Sequence, residues 1–196
     1  MKQDKIKLGI SHGDVNGISY EIIIKTLKDN RILDFCTPIV YGSPKVAAYH
    51  RKALNIPNFS LNNIKTPEEA NPKRANVINC IDDNIRVELG KSTAAAGESS
   101  FIALKNAVND LKEKKIDVLV TAPINKDNIQ SKNFTFPGHT EYLANSVNSK
   151  DVLMFMVSEN FKVGVVAGHV PIKDVPGEIT QENILKKLRI MNKSLI

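Results

Sequence analysis

Short apolar runs alternate along the chain with segments that have the spacing of amphipathic helices, and this alternation restricts the possible folds more than any other feature. Residues 6–10, 38–41 and 118–121 are apolar runs of strand length. Apolar residues spaced by three and four predict a helix over residues 93–114. This stripe consists of Phe101, Leu104, Val108 and Leu111. Strands that alternate with helices predict a three-layer α/β/α domain with a largely parallel or mixed sheet.

The remaining segments follow the same pattern with one exception. Helices are predicted over residues 19–27, from the capping pair Ser43-Pro44 to about residue 54, over residues 138–147, and after the capping residue Thr180. Residues 152–157 and 162–167 are predicted as consecutive strands. Residues 56–87 differ because they are rich in Asn and Pro, and we interpret them as hairpin-like, with β-like pieces at residues 59–64 and 77–81.

Composition excludes several classes of protein. The formal net charge is +6, but the 27 basic residues are spread along the chain and interleaved with Asp and Glu, so we expect no nucleic-acid partner. No apolar run is long enough to span a bilayer, and the first residues lack the core of a signal peptide, so we expect a cytoplasmic protein without a membrane partner. The two cysteines, Cys36 and Cys80, are predicted to be buried free thiols.

Four polar turns follow predicted strands or open predicted helices, where ligands of α/β proteins bind. They span residues 13–17, 121–126, 136–141 and 168–171. In the third turn, His139 and Thr140 either donate hydrogen bonds to a carboxylate or phosphate or merely cap the helix. In the fourth, His169 leaves a strand and is either a metal ligand or a structural residue. We interpret His50 as a surface residue and leave His12 unassigned.

Taken together and in order, these motifs resemble one family. The opening segment from Ser11 to Glu21 resembles the first motif of the 4-hydroxythreonine-4-phosphate dehydrogenases, which act in pyridoxal phosphate (vitamin B6) biosynthesis. The family's later motifs are matched in order by Gly90-Lys91-Ser92 with Gly97 and Ser100, by residues 121–126, by Gly138-His139-Thr140-Glu141, and by His169-Val170-Pro171. The resemblance departs from the family at Val15 and Tyr20, where many members have proline.

The resemblance implies a fold similar to the isocitrate and isopropylmalate dehydrogenases, with two α/β domains and a cleft between them. It implies NAD-dependent oxidation and decarboxylation of 4-phosphohydroxy-L-threonine to 3-amino-2-oxopropyl phosphate. By the same resemblance, His139 and Thr140 bind this phosphorylated substrate. His169 is one of three histidine ligands of a divalent cation, such as Zn, Mg or Co, near the interface of a homodimer.

Members of that family are longer than this chain, whose last predicted helix reaches residue 196 without a Gly or Pro stop signal. We therefore expect residues 1–196 to be the N-terminal portion of a two-domain dehydrogenase, without the C-terminal NAD-binding portion and the other metal ligands. On its own the chain is expected to be inactive. Two alternatives stay open: a paralogue that oxidises a phosphorylated sugar acid such as threonate or erythronate phosphate, and a non-catalytic anion-binding module.

Overall fold

A computed structural model describes residues 5–149 and 151–195 of the chain. The chain divides into two compact units, Met1–Leu143 and Ala144–Ile196. Among the described residues, no helix combines the length and the apolar character needed to cross a membrane.

The first unit is built on a five-stranded sheet in which every neighbouring pair of strands is parallel. Its strands are β1 (Ile6–Ser11), β2 (Cys36–Gly42), β3 (Asn62–Ile64), β4 (Asn76–Asn79) and β5 (Val118–Thr121), in the order β3-β4-β2-β1-β5. The helices are α1 (Ser19–Leu27), α2 (Ile32–Phe35), α3 (Pro44–Ala53) and α4 (Ala94–Lys112), and α5 (His139–Ser146) begins near the end of the unit. The prediction was an α/β domain with a largely parallel or mixed sheet, and the described sheet of this unit is parallel.

Alternate side chains of the strands point to opposite faces, and each face is covered by helices. Val40 of β2 packs with residues of α1 on one face. Its neighbours Ile39 and Tyr41 pack on the other face against Ala103 and Ala107 of α4. The result is the predicted three-layer arrangement, in which helix α4 lies on one side of the sheet and helices α1 and α3 lie on the other.

The hairpin interpretation of residues 56–87 is wrong, because β3 and β4 run parallel. Parallel neighbours need a crossover, and here a short 3₁₀ turn, Pro67–Glu69, lies in the connection. The side chain of Asn76, which is fully buried, fixes this connection. Its amide nitrogen donates to the carbonyl oxygens of Pro38, Asn71 and Arg74, and its oxygen accepts from Asn62 at 2.9 Å.

Strand β5 is an apolar run, which favours burial, but Val118 and Val120 are 43% and 49% exposed. The reason is its position: β5 is the last strand on its side of the described sheet. Apolarity alone therefore overestimated the burial of this strand. Both cysteines are free, as predicted. Cys36 is buried, whereas Cys80 is half-buried.

The second unit contains an antiparallel pair, β6 (Phe155–Ser158) and β7 (Phe161–Gly164), and two helices, α6 (Val175–Glu178) and α7 (Gln181–Leu195). The predicted strand over residues 152–157 is shorter and lies further along the chain than expected. Met156 and Val157 are 56% and 67% exposed, so the described residues do not cover both faces of this run. The last helix is confirmed, and Thr180 Oγ1 caps it by accepting from the backbone N–H of Asn183 at 3.2 Å.

Candidate active site at the carboxyl edge of the sheet

The turns after β1 and β5 are in direct contact because these two strands are neighbours in the sheet. The carbonyl oxygen of Pro123 accepts from the backbone N–H of Asp14 at 2.9 Å and from the Ser19 hydroxyl at 2.7 Å. Gly13 has φ +69°, and a Cβ added there would overlap the Pro123 carbonyl oxygen. Only glycine allows this approach, so the first two polar turns form one structure.

The start of α4 joins the same edge. The Ser100 hydroxyl donates to the carbonyl oxygen of Gly13 at 2.6 Å. At Gly97 an added Cβ would overlap the carbonyl oxygen of Asn128, so the helix lies directly against the segment that follows β5. The Gly and Ser residues picked out at the start of this helix are therefore the ones that allow it to contact both turns.

Asn16 holds the loop that leads into α4. Its amide nitrogen donates to the carbonyl oxygen of Lys91 and to the hydroxyl of Thr93, both at 3.0 Å. Its side-chain oxygen accepts from the backbone N–H of Glu88 at 2.8 Å. Asn16 itself is 2% exposed. This buried amide fixes the position of the loop that carries Lys91 and Ser92 over the first turn.

Asp14 is a nearly buried carboxylate whose hydrogen bonds lie within the same cluster. One oxygen accepts from the backbone N–H of Asn16 at 2.8 Å, and the other accepts from the Asn128 amide at 3.4 Å. Asp14 is 8% exposed and takes part in none of the ion pairs between described residues. Asp14 thereby connects the first turn to the segment after β5 through polar contacts.

His139 begins α5, as the sequence predicted, and its ring is half-buried. Its Nε2 atom is buried and meets no hydrogen-bond partner among the described residues. Burial and the positive charge of Lys126 both lower the pKa of this imidazole, so the neutral form dominates at pH 7. A neutral imidazole can donate one hydrogen bond and accept another.

The residues around Gly138 include one cation and one carboxylate. Lys126 Cε and Glu141 Oε2 lie 3.8 and 3.6 Å from the position that a Cβ of Gly138 would take. Lys126 takes part in none of the ion pairs between residues that the structure describes. Thr140 is exposed in the first turn of α5, where backbone N–H groups are free to bind oxygen atoms. An ammonium, an imidazole, a hydroxyl and a helix N-terminus are thus close together, next to the carboxylate of Glu141.

His169 belongs to the second unit and is exposed. The strand before it ends at Gly164 rather than at residue 167, so the histidine lies in a loop, where its φ is +58°. Within the two described ranges, no three His, Cys, Asp or Glu side chains are grouped so that they could hold a metal ion. A catalytic zinc site usually has three protein ligands. His169 by itself therefore does not make a metal centre.

His50, which we expected at the surface, is 3% exposed. Its Nε2 donates to the carbonyl oxygen of Val15 at 2.8 Å, and its ring stacks on Tyr20 with centroids 5.2 Å apart. His50 lies four residues after Val46 on the buried face of α3, and this spacing in the sequence could have revealed its position. We expected His50 to be exposed because the next two residues, Arg51 and Lys52, are charged.

His12, which we left unassigned, is fully buried against the other face of Tyr20, with ring centroids 5.3 Å apart. Among the described residues neither ring nitrogen has a hydrogen-bond partner of ordinary geometry. Burial lowers the pKa of His12 to about 4. Val15 and Tyr20, the positions that depart from the family pattern, thus hold two buried histidines next to the first turn.

Comparison with known proteins gives a consistent result. Residues 34–196 match the family described as pyridoxal phosphate biosynthetic protein PdxA. A 4-hydroxythreonine-4-phosphate dehydrogenase of Bacteroides thetaiotaomicron is 47% identical over 197 residues, which cover 100% of this chain and 54% of that protein. A putative D-threonate 4-phosphate dehydrogenase of Fusobacterium nucleatum is 30% identical and matches 97% of this chain and 58% of its own length. The chain spans about half the length of the curated relatives it matches.

Solved structures show the same relationship. A crystal structure of a 4-hydroxythreonine-4-phosphate dehydrogenase from Burkholderia phymatum superposes with a TM-score of 0.87 at 26% identity, covering 98% of this chain and 59% of that one. The family match over residues 34–196, the sequence identity over the whole chain and the shared fold agree with the motifs at the carboxyl edge of the sheet. The chain belongs to the family of pyridoxal phosphate biosynthetic protein PdxA.

Proposed function

We propose that this chain forms the substrate-binding part of an NAD-dependent oxidoreductase that acts on a phosphorylated hydroxy acid. The observation that carries the proposal is the buried Nε2 of His139, which has no partner among the described residues and lies at the start of α5 near Lys126. A buried polar atom without a partner destabilises the fold by about 1–3 kcal/mol. A ligand oxygen at this point would remove that penalty.

We assign one role to each side chain of this site. The neutral imidazole of His139 and the hydroxyl of Thr140 bind oxygen atoms of the substrate. Lys126 supplies the positive charge that complements a phosphate or carboxylate. Burial, together with this charge, lowers the pKa of the imidazole and keeps it neutral. The approach of the α4 segment to the segment after β5, at Gly97 and Asn128, determines where Lys126 lies. These residues bind and orient the substrate.

The substrate we favour is 4-phosphohydroxy-L-threonine, oxidised and decarboxylated to 3-amino-2-oxopropyl phosphate. The relative with 47% identity is named for this substrate, whereas the relative named for D-threonate 4-phosphate has 30% identity. D-threonate 4-phosphate is the second candidate, because a further relative named for it is 34% identical over 170 residues. Both substrates carry a phosphate, a carboxylate and at least one hydroxyl group, which the same donors can bind.

The divalent cation and NAD both need residues other than those of the site around His139. His169 offers one exposed imidazole, so we propose it only as one of several ligands of a divalent cation. The glycine turn after β1 does not match the dinucleotide fingerprint, and the Pro123 carbonyl group and the Ser19 hydroxyl fill it. We therefore propose that the NAD site lies outside residues 1–196, in a second domain of the isocitrate dehydrogenase type.

We also propose that the complete protein is a homodimer in which the second unit contributes to the interface. Phe161 and Val157 of the β6–β7 hairpin are 70% and 67% exposed, and Ile172 is 90% exposed. Apolar surface of this kind is typical of protein interfaces. Light scattering of the complete protein at micromolar concentration should give the mass of a dimer.

A hybrid enzyme tests the proposed function. This chain would replace the matching 197 residues of the Bacteroides thetaiotaomicron relative, which correspond to 54% of that protein. NADH formation would then be measured with 4-phosphohydroxy-L-threonine and with D-threonate 4-phosphate. We expect a higher kcat/KM for the first substrate and a loss of most of this activity in the His139→Ala hybrid.

Two results would contradict the proposal. A folded hybrid that is inactive on both substrates would favour the non-catalytic anion-binding module. A hybrid whose kcat/KM is unchanged by His139→Ala would show that α5 does not bind the substrate. Lys105→Ala is a matched control, because Lys105 is exposed on α4 and takes part in none of the ion pairs between described residues.

A further inference from the structure

A polar cavity of about 220 Å³ lies at the amino edge of the sheet, opposite the candidate active site. Lys28 follows α1, which runs back from the carboxyl edge, while Lys73 and Arg74 lead into β4. Asn58 and Ser60 lead into β3 and form another wall. The cavity is therefore built by three segments that converge at the starts of two parallel strands.

All charged residues that line this cavity are positive. Its lining includes Lys28, Lys73 and Arg74, and the remaining lining residues are uncharged. Within the described ranges these three cations take part in none of the ion pairs. The nearest acidic residue in sequence, Asp29, is already bound by the guanidinium of Arg31. Three positive charges around one concave surface repel each other and attract an anion.

The hydrogen-bond donors are placed to bind such an anion. Arg74 Nη2 donates to the Ser60 hydroxyl at 3.2 Å, which holds the guanidinium against the wall of the cavity. The amide groups of Asn30 and Asn58 add uncharged donors. At the end of α1, the carbonyl oxygens of Ile24 and Thr26 already accept from the backbone N–H groups of Lys28 and Asp29.

We propose that this cavity is a second anion site, which binds inorganic phosphate or the phosphate group of a small ester. The cavity volume suits one phosphate group with a small substituent. The site is distinct from the one that contains His139, because it lies at the opposite ends of the strands. It does not depend on the proposed dehydrogenase activity.

A phosphate titration of the ¹⁵N-labelled chain, monitored by NMR at constant ionic strength, tests the proposal. The backbone amides of Lys28, Ser60 and Arg74 should shift together along one saturating curve. The Lys28→Ala/Lys73→Ala variant, which leaves the contact between Arg74 and Ser60 intact, should bind phosphate about tenfold more weakly or worse. Lys105→Ala/Lys112→Ala removes the same charge from α4, on one face of the sheet away from the cavity, and should bind normally.

Each other outcome overturns the proposal. Absence of saturable shifts at these amides would show that the cavity does not bind phosphate. If both double variants bound phosphate equally weakly, the loss would be a general effect of net charge. Shifts confined to residues 138–140 would place the phosphate at the candidate active site alone. A single-stranded oligonucleotide that binds through Lys28 and Lys73 while phosphate does not would identify a nucleic-acid surface instead.

Discussion

Gly97→Ala is the substitution that most directly probes how the candidate site is assembled. An added Cβ would overlap the carbonyl oxygen of Asn128 and lie 2.7 Å from the backbone nitrogen of Ile129. Both neighbours are backbone atoms, so the strain cannot be relieved by rotating a side chain. Either α4 or the segment after β5 must move.

The size of the effect follows from two opposing contributions. Overpacking in a well-packed interior typically destabilises a protein by about 1–3 kcal/mol, and overlap with backbone belongs at the upper end. Alanine is favoured over glycine inside a helix by about 1 kcal/mol, which offsets part of this loss. We expect Gly97→Ala to lower the free energy of unfolding by about 2 kcal/mol.

Urea unfolding followed by circular dichroism and by tyrosine fluorescence measures this change. Gly17→Ala is the matched control, because Gly17 lies in the first turn and an added Cβ there would meet its neighbours at 3.7 to 3.8 Å, an ordinary contact. The control should unfold within about 0.5 kcal/mol of the unmodified chain. If Gly97→Ala were as stable as Gly17→Ala, the close approach of α4 to Asn128 would be wrong.

Three further predictions concern the histidines and the isolated chain. The pKa of His12 is lowered from 6.5 to about 4, so between these two pH values the unfolded state takes up a proton that the folded state does not. The free energy of unfolding should therefore fall by roughly 3 kcal/mol as the pH is lowered through this range. His12→Phe should reduce this loss, as urea unfolding at pH 7 and pH 4.5 would show, and an unchanged pH dependence would contradict it. In the hybrid enzyme, His169→Ala should lower the metal content measured by mass spectrometry, whereas His139→Ala should leave it unchanged; full occupancy in the His169 variant would remove His169 from the ligands. The isolated 196-residue chain should form no NADH from 4-phosphohydroxy-L-threonine, and a rate above background that His139→Ala abolishes would refute this.

The alternation of strands and helices and the start of α4 could be predicted because they depend on local patterns. Thr93, for example, accepts from the backbone N–H of Ala96 as an N-cap. Of the apolar stripe after it, Leu104 and Val108 are buried in a cluster with Phe134. The position of His139 at the start of a helix also followed from its sequence. These features are determined by spacing and by capping preferences within one segment.

What could not be predicted depends on contacts between distant segments. The parallel pairing of β3 with β4 rests on the buried amide of Asn76, which bonds to residues as far away as Pro38. The burial of His50 depends on the carbonyl group of Val15, 35 residues earlier in the chain. The approach of Gly97 to Asn128 likewise joins residues that local patterns cannot bring together. His169 stays a proposed ligand, because the described residues contain no group of three side chains that could hold a metal ion.

The central claim is that His139 at the start of α5 binds a phosphorylated hydroxy acid with help from Lys126. Imidazole NMR of the hybrid enzyme, titrated with 4-phosphohydroxy-L-threonine, tests this claim most directly. We predict a saturable shift of the His139 Nε2 resonance with the same midpoint as the KM for turnover, and a weaker midpoint in Lys126→Ala, but not in Lys105→Ala. A His139 resonance that stays unchanged while the hybrid turns over substrate would contradict the account.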